Sequence, residues 1–389
     1  MTVEIQSLLD ELEAVVALDD IKQAPRLPFA LVAPPEWKST AEGQALLNSF
    51  SAIPEFEYLD NCMVIFGTGG RAADHTSWVG WIIARALRVG SKQALSEFAQ
   101  FHQSETIPLM HFAMLADIHS DLDEEIVFHD GSRLGPASSI LSRALISELS
   151  LLEFNGLPTP RVEMALTYDG TQKKQILKQE EKADWANEDQ RFEDIALCLS
   201  LARPPNYGIQ LWASSIFVPE HIPQVNFGFG WQIPYFRKPA MQPPMISFEG
   251  NLARKIYGQF DALEPSLKDQ LRVPMRKLND FGSQSPGVDQ LIDLRVALES
   301  FFMTNNKGNN VQAKVSSRAA RLLSDDQSER DQIKADFVDG YDWMSRAMHS
   351  GQIPTTIDWK IIDRVALGLR AAIRKNIEMG KAIEWAQIT

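Results

Sequence analysis

Two patterns of apolar residues divide the chain. Up to about residue 245, short runs rich in β-branched and aromatic residues alternate with amphipathic stretches. Five runs have the composition of strands: Pro28 to Val32, Glu57 to Phe66, Pro108 to Ala116, Val162 to Tyr168 and Tyr207 to Phe217. Ser77 to Phe101 and Asp189 to Leu201 repeat apolar residues at three and four positions, which predicts helices. From Ser247 onward the period is helical throughout. Leu252 to Leu263 and Leu267 to Phe281 predict two helices ahead of the turn FGSQSPG. Leu291, Leu294, Leu298 and Phe301 stripe a third, ended by NNKGNN. Val315, Ala319, Leu322 and Leu323 stripe a fourth, closed by Ser324, Asp325 and Asp326. Ile333, Phe337, Tyr341, Met344 and Met348 mark a fifth, ending near Gly351 and Pro354. Thr355 and Asp358 predict a capping-box start for a last helix reaching Ala386. The expected fold class is therefore α+β. A mixed α/β domain over residues 1–245 precedes an all-α bundle over 246–389, with Pro234, Pro239, Pro243 and Pro244 marking the boundary.

Composition adds limits to this outline. A chain of 389 residues, 44% hydrophobic and 23% charged, is long enough for two or three domains with ordinary cores. The formal net charge of −13 argues against a generally basic surface that coats nucleic acid. That charge is unevenly placed. Residues 1–245 hold 18 basic and 32 acidic side chains and 246–389 hold 20 and 19, so the parts carry −14 and +1. An anionic partner is better tolerated by the second part. Cys62 and Cys198 are too few for a disulfide framework or a four-cysteine zinc site, and they fit a reducing cytoplasm. The acidic start MTVEIQSLLDELEAVV excludes an ordinary signal peptide. No apolar run approaches the roughly 18 residues of a spanning helix, so no membrane partner is expected.

Three clusters invite a chemical reading. FGTGGRAADH, Phe66 to His75, resembles a phosphate-cradling loop ahead of a helix. Its glycines match neither dinucleotide nor nucleoside-triphosphate spacing, so a plain connection is the better reading. His111, Asp117, His119, Asp121, Asp123 and His129 crowd one stretch without a metal-ligand spacing, and no metal or cofactor is expected. The third cluster is YDWMSRAMHSG, Tyr341 to Gly351. At about 100° per residue from Ile333, Ser345, His349, Asp342 and Arg346 fall at about 120°, 160°, 180° and 220°. They share a polar face opposite the apolar stripe. A histidine beside an arginine, an acid and a hydroxyl suits phosphodiester chemistry, the imidazole moving protons and the guanidinium neutralising a phosphate oxygen. The plain alternative is a solvated face on which Asp342 and Arg346 pair across one turn.

Four passages carry a family resemblance: FEGNLARKIYGQF, VDQLIDLRVALESFF, KVSSRAARLLSDDQSERDQI and YDWMSRAMHSG. Together, over residues 247 to 389, they resemble the HEPN domains of the Apea-like group, proteins associated with bacterial defence against phage. The second is similar to that group's first core helix, with Asp293, Ala297, Leu298 and Glu299 in matching places. The third resembles its R-x-A-x-L-L helix through Arg318, Leu322 and Leu323, and the fourth its closing Y-D-x-R-S-x-x-x-H-G passage. LMHFAMLADIHSDLDEEIVFHDGSRLGP is similar to a strand-rich region upstream of such domains.

The resemblance implies a HEPN bundle that pairs as a homodimer. Active members are metal-independent endoribonucleases that use an arginine and a histidine a few residues apart. RNA carries its own nucleophile in the 2′-hydroxyl, so such an enzyme needs only proton transfer and charge stabilisation. Here His349 matches the histidine, and Tyr341, Asp342 and Ser345 match their places, but Met344 stands at the arginine position. Arg346 lies about 160° around the helix from it. Gly351 comes one residue late, after Ser350. Arg370, Arg374 and Lys381 form a basic strip on the last helix that, with Arg318, could contact an RNA backbone or simply face solvent. Two functions stay open. One is RNA cleavage, with His349 as acid/base and Arg346 as phosphate-binding group. The other is a dimerising, non-catalytic component of a defence system whose first part binds a protein partner or trigger.

Overall fold

The computed structural model describes residues 3–23, 33–66, 69–116, 125–140, 162–178, 189–202, 208–223, 250–283, 285–304 and 309–387. It combines helices with two antiparallel sheets, an α+β fold. The first layer contains α1 (Val3–Ala17), the short α2 (Asp19–Gln23), α3 (Ala41–Ser51), α4 (His75–Val89) and α5 (Ser91–Gln103). They pack beside a three-stranded sheet of β1 (Cys62–Phe66), β2 (Gly69–Ala73) and β7 (Gln175–Lys178), ordered β2-β1-β7. Trp37, Trp78, Trp81, Phe50 and Phe101 fill the core between these elements.

Two expectations change here for local reasons. The helix read over Ser77 to Phe101 is two helices, because Gly90 takes φ 91°, which breaks the ladder between α4 and α5. The strand read from Glu57 begins only at Cys62. A 3₁₀ turn, Pro54–Leu59, and Asn61 at φ 51° precede it. The run Pro28 to Val32 lies outside the described residues.

The second sheet holds β3 (Thr106–Ala116), β4 (Ile126–Val127), β5 (Arg133–Pro136), β6 (Val162–Lys173) and β8 (Gln210–Phe217), in the order β4-β5-β6-β3-β8. β3 pairs along its whole length with β6, from Thr106 opposite Lys173 to Ala116 opposite Val162. It belongs to both cores: Ile107 and Leu109 join the first, Ala113 and Leu115 the second. The four-residue α6 (Ala137–Ile140) follows β5. α7 (Asp189–Leu201), at the predicted position, sets Phe192, Ile195 and Leu199 into the second core beside Met164 and Leu166 of β6.

Six helices complete that core: α8 (Gly250–Asp261), α9 (Pro265–Gly282), α10 (Val288–Phe302), α11 (Val311–Leu323), α12 (Gln327–Ser350) and α13 (Trp359–Met379). α7 is tied to α9 by Asp194, whose carboxylate accepts from Arg272 Nε at 2.8 Å and Nη2 at 2.7 Å. The turn before β5 is tied to α8, with the Tyr257 hydroxyl donating to Asp130 at 2.9 Å. α12 starts as Asp326 accepts from the Glu329 amide, and it ends at Gly351, φ 67°. α13 begins with Asp358 accepting from the Lys360 amide, not with a box spanning Thr355 and Asp358. It stops at Met379, short of Ala386, because Gly380 adopts φ 66° and the Asn376 side chain takes the Lys381 carbonyl.

Candidate functional site

The second half of α12 carries the polar face, and two neighbouring helices set its rotation. Tyr341 packs into the core and donates its hydroxyl to Glu299 of α10 at 2.6 Å. Glu299 also accepts from Arg295 Nε at 2.7 Å, and the Arg295 guanidinium lies over the Tyr341 ring, 5.0 Å from its centroid. Burial, followed by the Glu299 carboxylate, pushes the Tyr341 phenol up to about 12. On the α13 side, Asp336 accepts from Arg364 Nε at 2.7 Å and Nη2 at 2.9 Å. These contacts fix which residues α12 turns inward. Met344 is 0% exposed, while Ser345 is half-buried and Arg346, Met348 and His349 are exposed.

Asp342 and Arg346 form the one-turn ion pair at 2.7 Å, with both side chains largely in solvent. His349 sits in the last turn of α12, and its imidazole makes no hydrogen bond among the described residues. Arg346 and His349 thus present a cation and a titratable ring at the surface. Met344 lies inside the core, out of reach of solvent. Gly351, read as displaced by Ser350, serves as the left-handed residue that closes the helix.

The expected basic strip is not a strip. Arg370 is 5% exposed, because α13 packs against α8, α9, α10, α11 and α12 and the covered face extends to Arg370, leaving Arg364, Ala371, Lys375 and Glu378 on the exposed side. Arg374 is half-buried, and Lys381 follows the end of the helix rather than lying on it. Arg318 does not point freely outward either. It donates to the Phe302 carbonyl and lies 5.1 Å from the Trp385 ring centroid. Asp293 accepts from Lys277 at 2.8 Å, an α9–α10 tie.

Among the described residues, the other two clusters gather no chemistry. Phe66 pairs with Gly69 and Ile65 with Gly70, so Gly69 and Gly70 are strand residues of β2 opposite β1. The N-terminus of α4 already holds a carboxylate, since Asp74 accepts from the Ser77 amide at 2.8 Å. His111 is buried on β3 near Tyr168, whereas His129 bonds Asp261 of α8 at 2.9 Å. Asp117, His119, Asp121 and Asp123 lie outside the described residues. Among the described residues no group of His, Cys, Asp or Glu could hold a metal ion, and no helix is long and apolar enough to cross a membrane. Cys62 and Cys198 are buried free thiols.

Sequence reading passed over Arg295 and Arg364. The four-residue spacing of Arg295 to Glu299 was a readable sign of the first; nothing local marks Arg364 as the partner of Asp336 on another helix. No family model, no curated protein and no solved structure matches this chain.

Proposed function

We propose that the helices from residue 250 onward act as a HEPN-like module that binds RNA without cutting it, as a dimerising regulatory component of a defence system. The observation that carries this reading is Met344. A fully buried thioether occupies the family's arginine position, and the nearby Arg346 is paired with Asp342 on another side of the helix. Without a guanidinium beside the scissile phosphate, His349 lacks the charge stabilisation that dominates such a reaction. The helices carry nearly balanced charge, so the acidity of the first 245 residues does not oppose RNA at this surface. That acidic first part suits a basic protein partner or trigger.

RNA cleavage stands as the second reading. The exposure of His349 and Arg346 on one end of α12 favours it, with the imidazole as acid/base and Arg346 released from Asp342 by a phosphate. The test is a shift assay with end-labelled RNA in chelator, followed by a denaturing gel of the same samples. The proposal expects RNA retained by the protein and recovered at full length; no retention, or retention with shortened RNA, contradicts it. Sedimentation should give twice the chain mass, and a monomer at all concentrations removes the dimer from the proposal.

A further inference from the structure

Beyond Gly380 the chain leaves α13 and lays residues 381–387 back against the second core without helix or strand. Its polar tie to the body is the Asn376 amide on the Lys381 carbonyl at 2.7 Å, and the Gln387 amide closes a turn on Glu384. Two partly buried side chains anchor it, Ile383 and Trp385. The Trp385 ring stands 6.0 Å from Phe301 at 81° and 5.6 Å from Phe302 at 53°. Arg318 completes the surroundings, its guanidinium 5.1 Å from the indole centroid and one N–H on the Phe302 carbonyl. The remaining Arg318 donors have no partner among the described residues. A flat ring set against one aromatic edge, one tilted ring and a cation over its face is a seat that an unpaired base can fill through the same contacts, with a spare guanidinium N–H left for its phosphate.

We propose that residues 381–387 are a removable cover, and that an unpaired base of single-stranded RNA takes the place of Trp385 when the cover lifts. This rests on RNA being the ligand of the module, and it adds where one base sits and what blocks it. The cover suits displacement because few hydrogen bonds hold it, so its release breaks mainly one aromatic contact set. An aromatic side chain of a protein partner is the rival occupant, but it has no use for the spare Arg318 donors.

The experiment is anisotropy of a short labelled oligoadenylate RNA with the full chain and with Trp385→Ala, Trp385→Phe and Trp385→Ala/Arg318→Gln. Trp385→Ala should bind about tenfold more tightly than the parent, the size of one stacked base. Trp385→Phe should stay near the parent, and the double variant should lose the gain. RNA binding that is equal in parent and Trp385→Ala overturns the cover while leaving the RNA reading intact. A gain that survives Arg318→Gln also overturns it, since a generally exposed apolar face is then enough. No binding by any chain sinks the RNA reading itself. Should Trp385→Ala unfold, hydrogen exchange of the parent decides: saturating RNA must speed exchange across 381–387, and unchanged protection there overturns the cover.

Discussion

Met344, the residue on which the proposed loss of cleavage turns, has its side chain sealed inside the second core with Phe337, Tyr341 and Ala347 of the same helix. Met344→Arg therefore does not simply restore a missing group. It forces an unpaired cation into an apolar site and should lower stability by about 3–5 kcal/mol. Urea unfolding of the variant checks this; a variant as stable as the parent would show that α12 can rotate the position outward. Tyr341 makes a second residue-level prediction. Its phenol titrates near about 10 in an unfolded chain and is raised to about 12 in the fold. The stabilisation it brings is full below about 10 and disappears as pH rises toward 12. Tyr341→Phe should cost about 1–3 kcal/mol near neutrality, through a lost hydrogen bond to a carboxylate. It should also flatten the alkaline fall of melting temperature, and an unchanged alkaline fall counts against Tyr341 being the buried phenol that titrates there. Residues 341 to 349 could be placed on faces from spacing alone. What spacing could not give was which faces α10 and α13 cover, and that is why Arg370 was read as surface.

Among the elements, α12 and α13 approach closely through two glycines. A methyl group at Gly368 would come within 2.8 Å of Phe337, and one at Gly340 within 2.9 Å of Val365. Helix propensity alone would favour alanine at either place by about 1 kcal/mol. Overpacking in a filled core costs about 1–3 kcal/mol and outweighs it. Gly368→Ala is expected to lower the thermal midpoint, whereas a rise would mean that Phe337 moves aside freely. Most helices were readable because each has one apolar stripe and a marked end. Gly351 and Pro354 announce the end of α12, and Asp326 its start. The ends that misled were those set by one backbone angle. Gly90 splits a continuous amphipathic pattern, and Gly380 stops α13 although Ile383 continues its apolar period.

At the scale of the whole molecule, the apolar core around α12 reaches back across residue 245. Phe192, Ile195 and Leu199 of α7 share it with Phe260, Leu271 and Met275 of α8 and α9, and Asp194 with Arg272 closes its edge. Separating 246–389 removes α7 from that surface. The piece should lose its sharp unfolding transition and bind hydrophobic dyes, and a cooperative, dye-silent piece would contradict this. The composition shift at the proline-rich run is real in the sequence, but pairings between distant segments such as α7 and α9 leave no periodic trace. The divided charge adds the functional side. The acidic excess belongs to the first 245 residues, while Arg346 and His349 lie on helices of nearly balanced charge.

Whether RNA stays whole is measured most directly by comparing the full chain with His349→Ala on end-labelled RNA in chelator, resolved on a denaturing gel. A module disarmed by Met344 leaves the RNA at full length with both proteins. Cleavage by the parent that survives chelator and vanishes in His349→Ala would show an active ribonuclease instead.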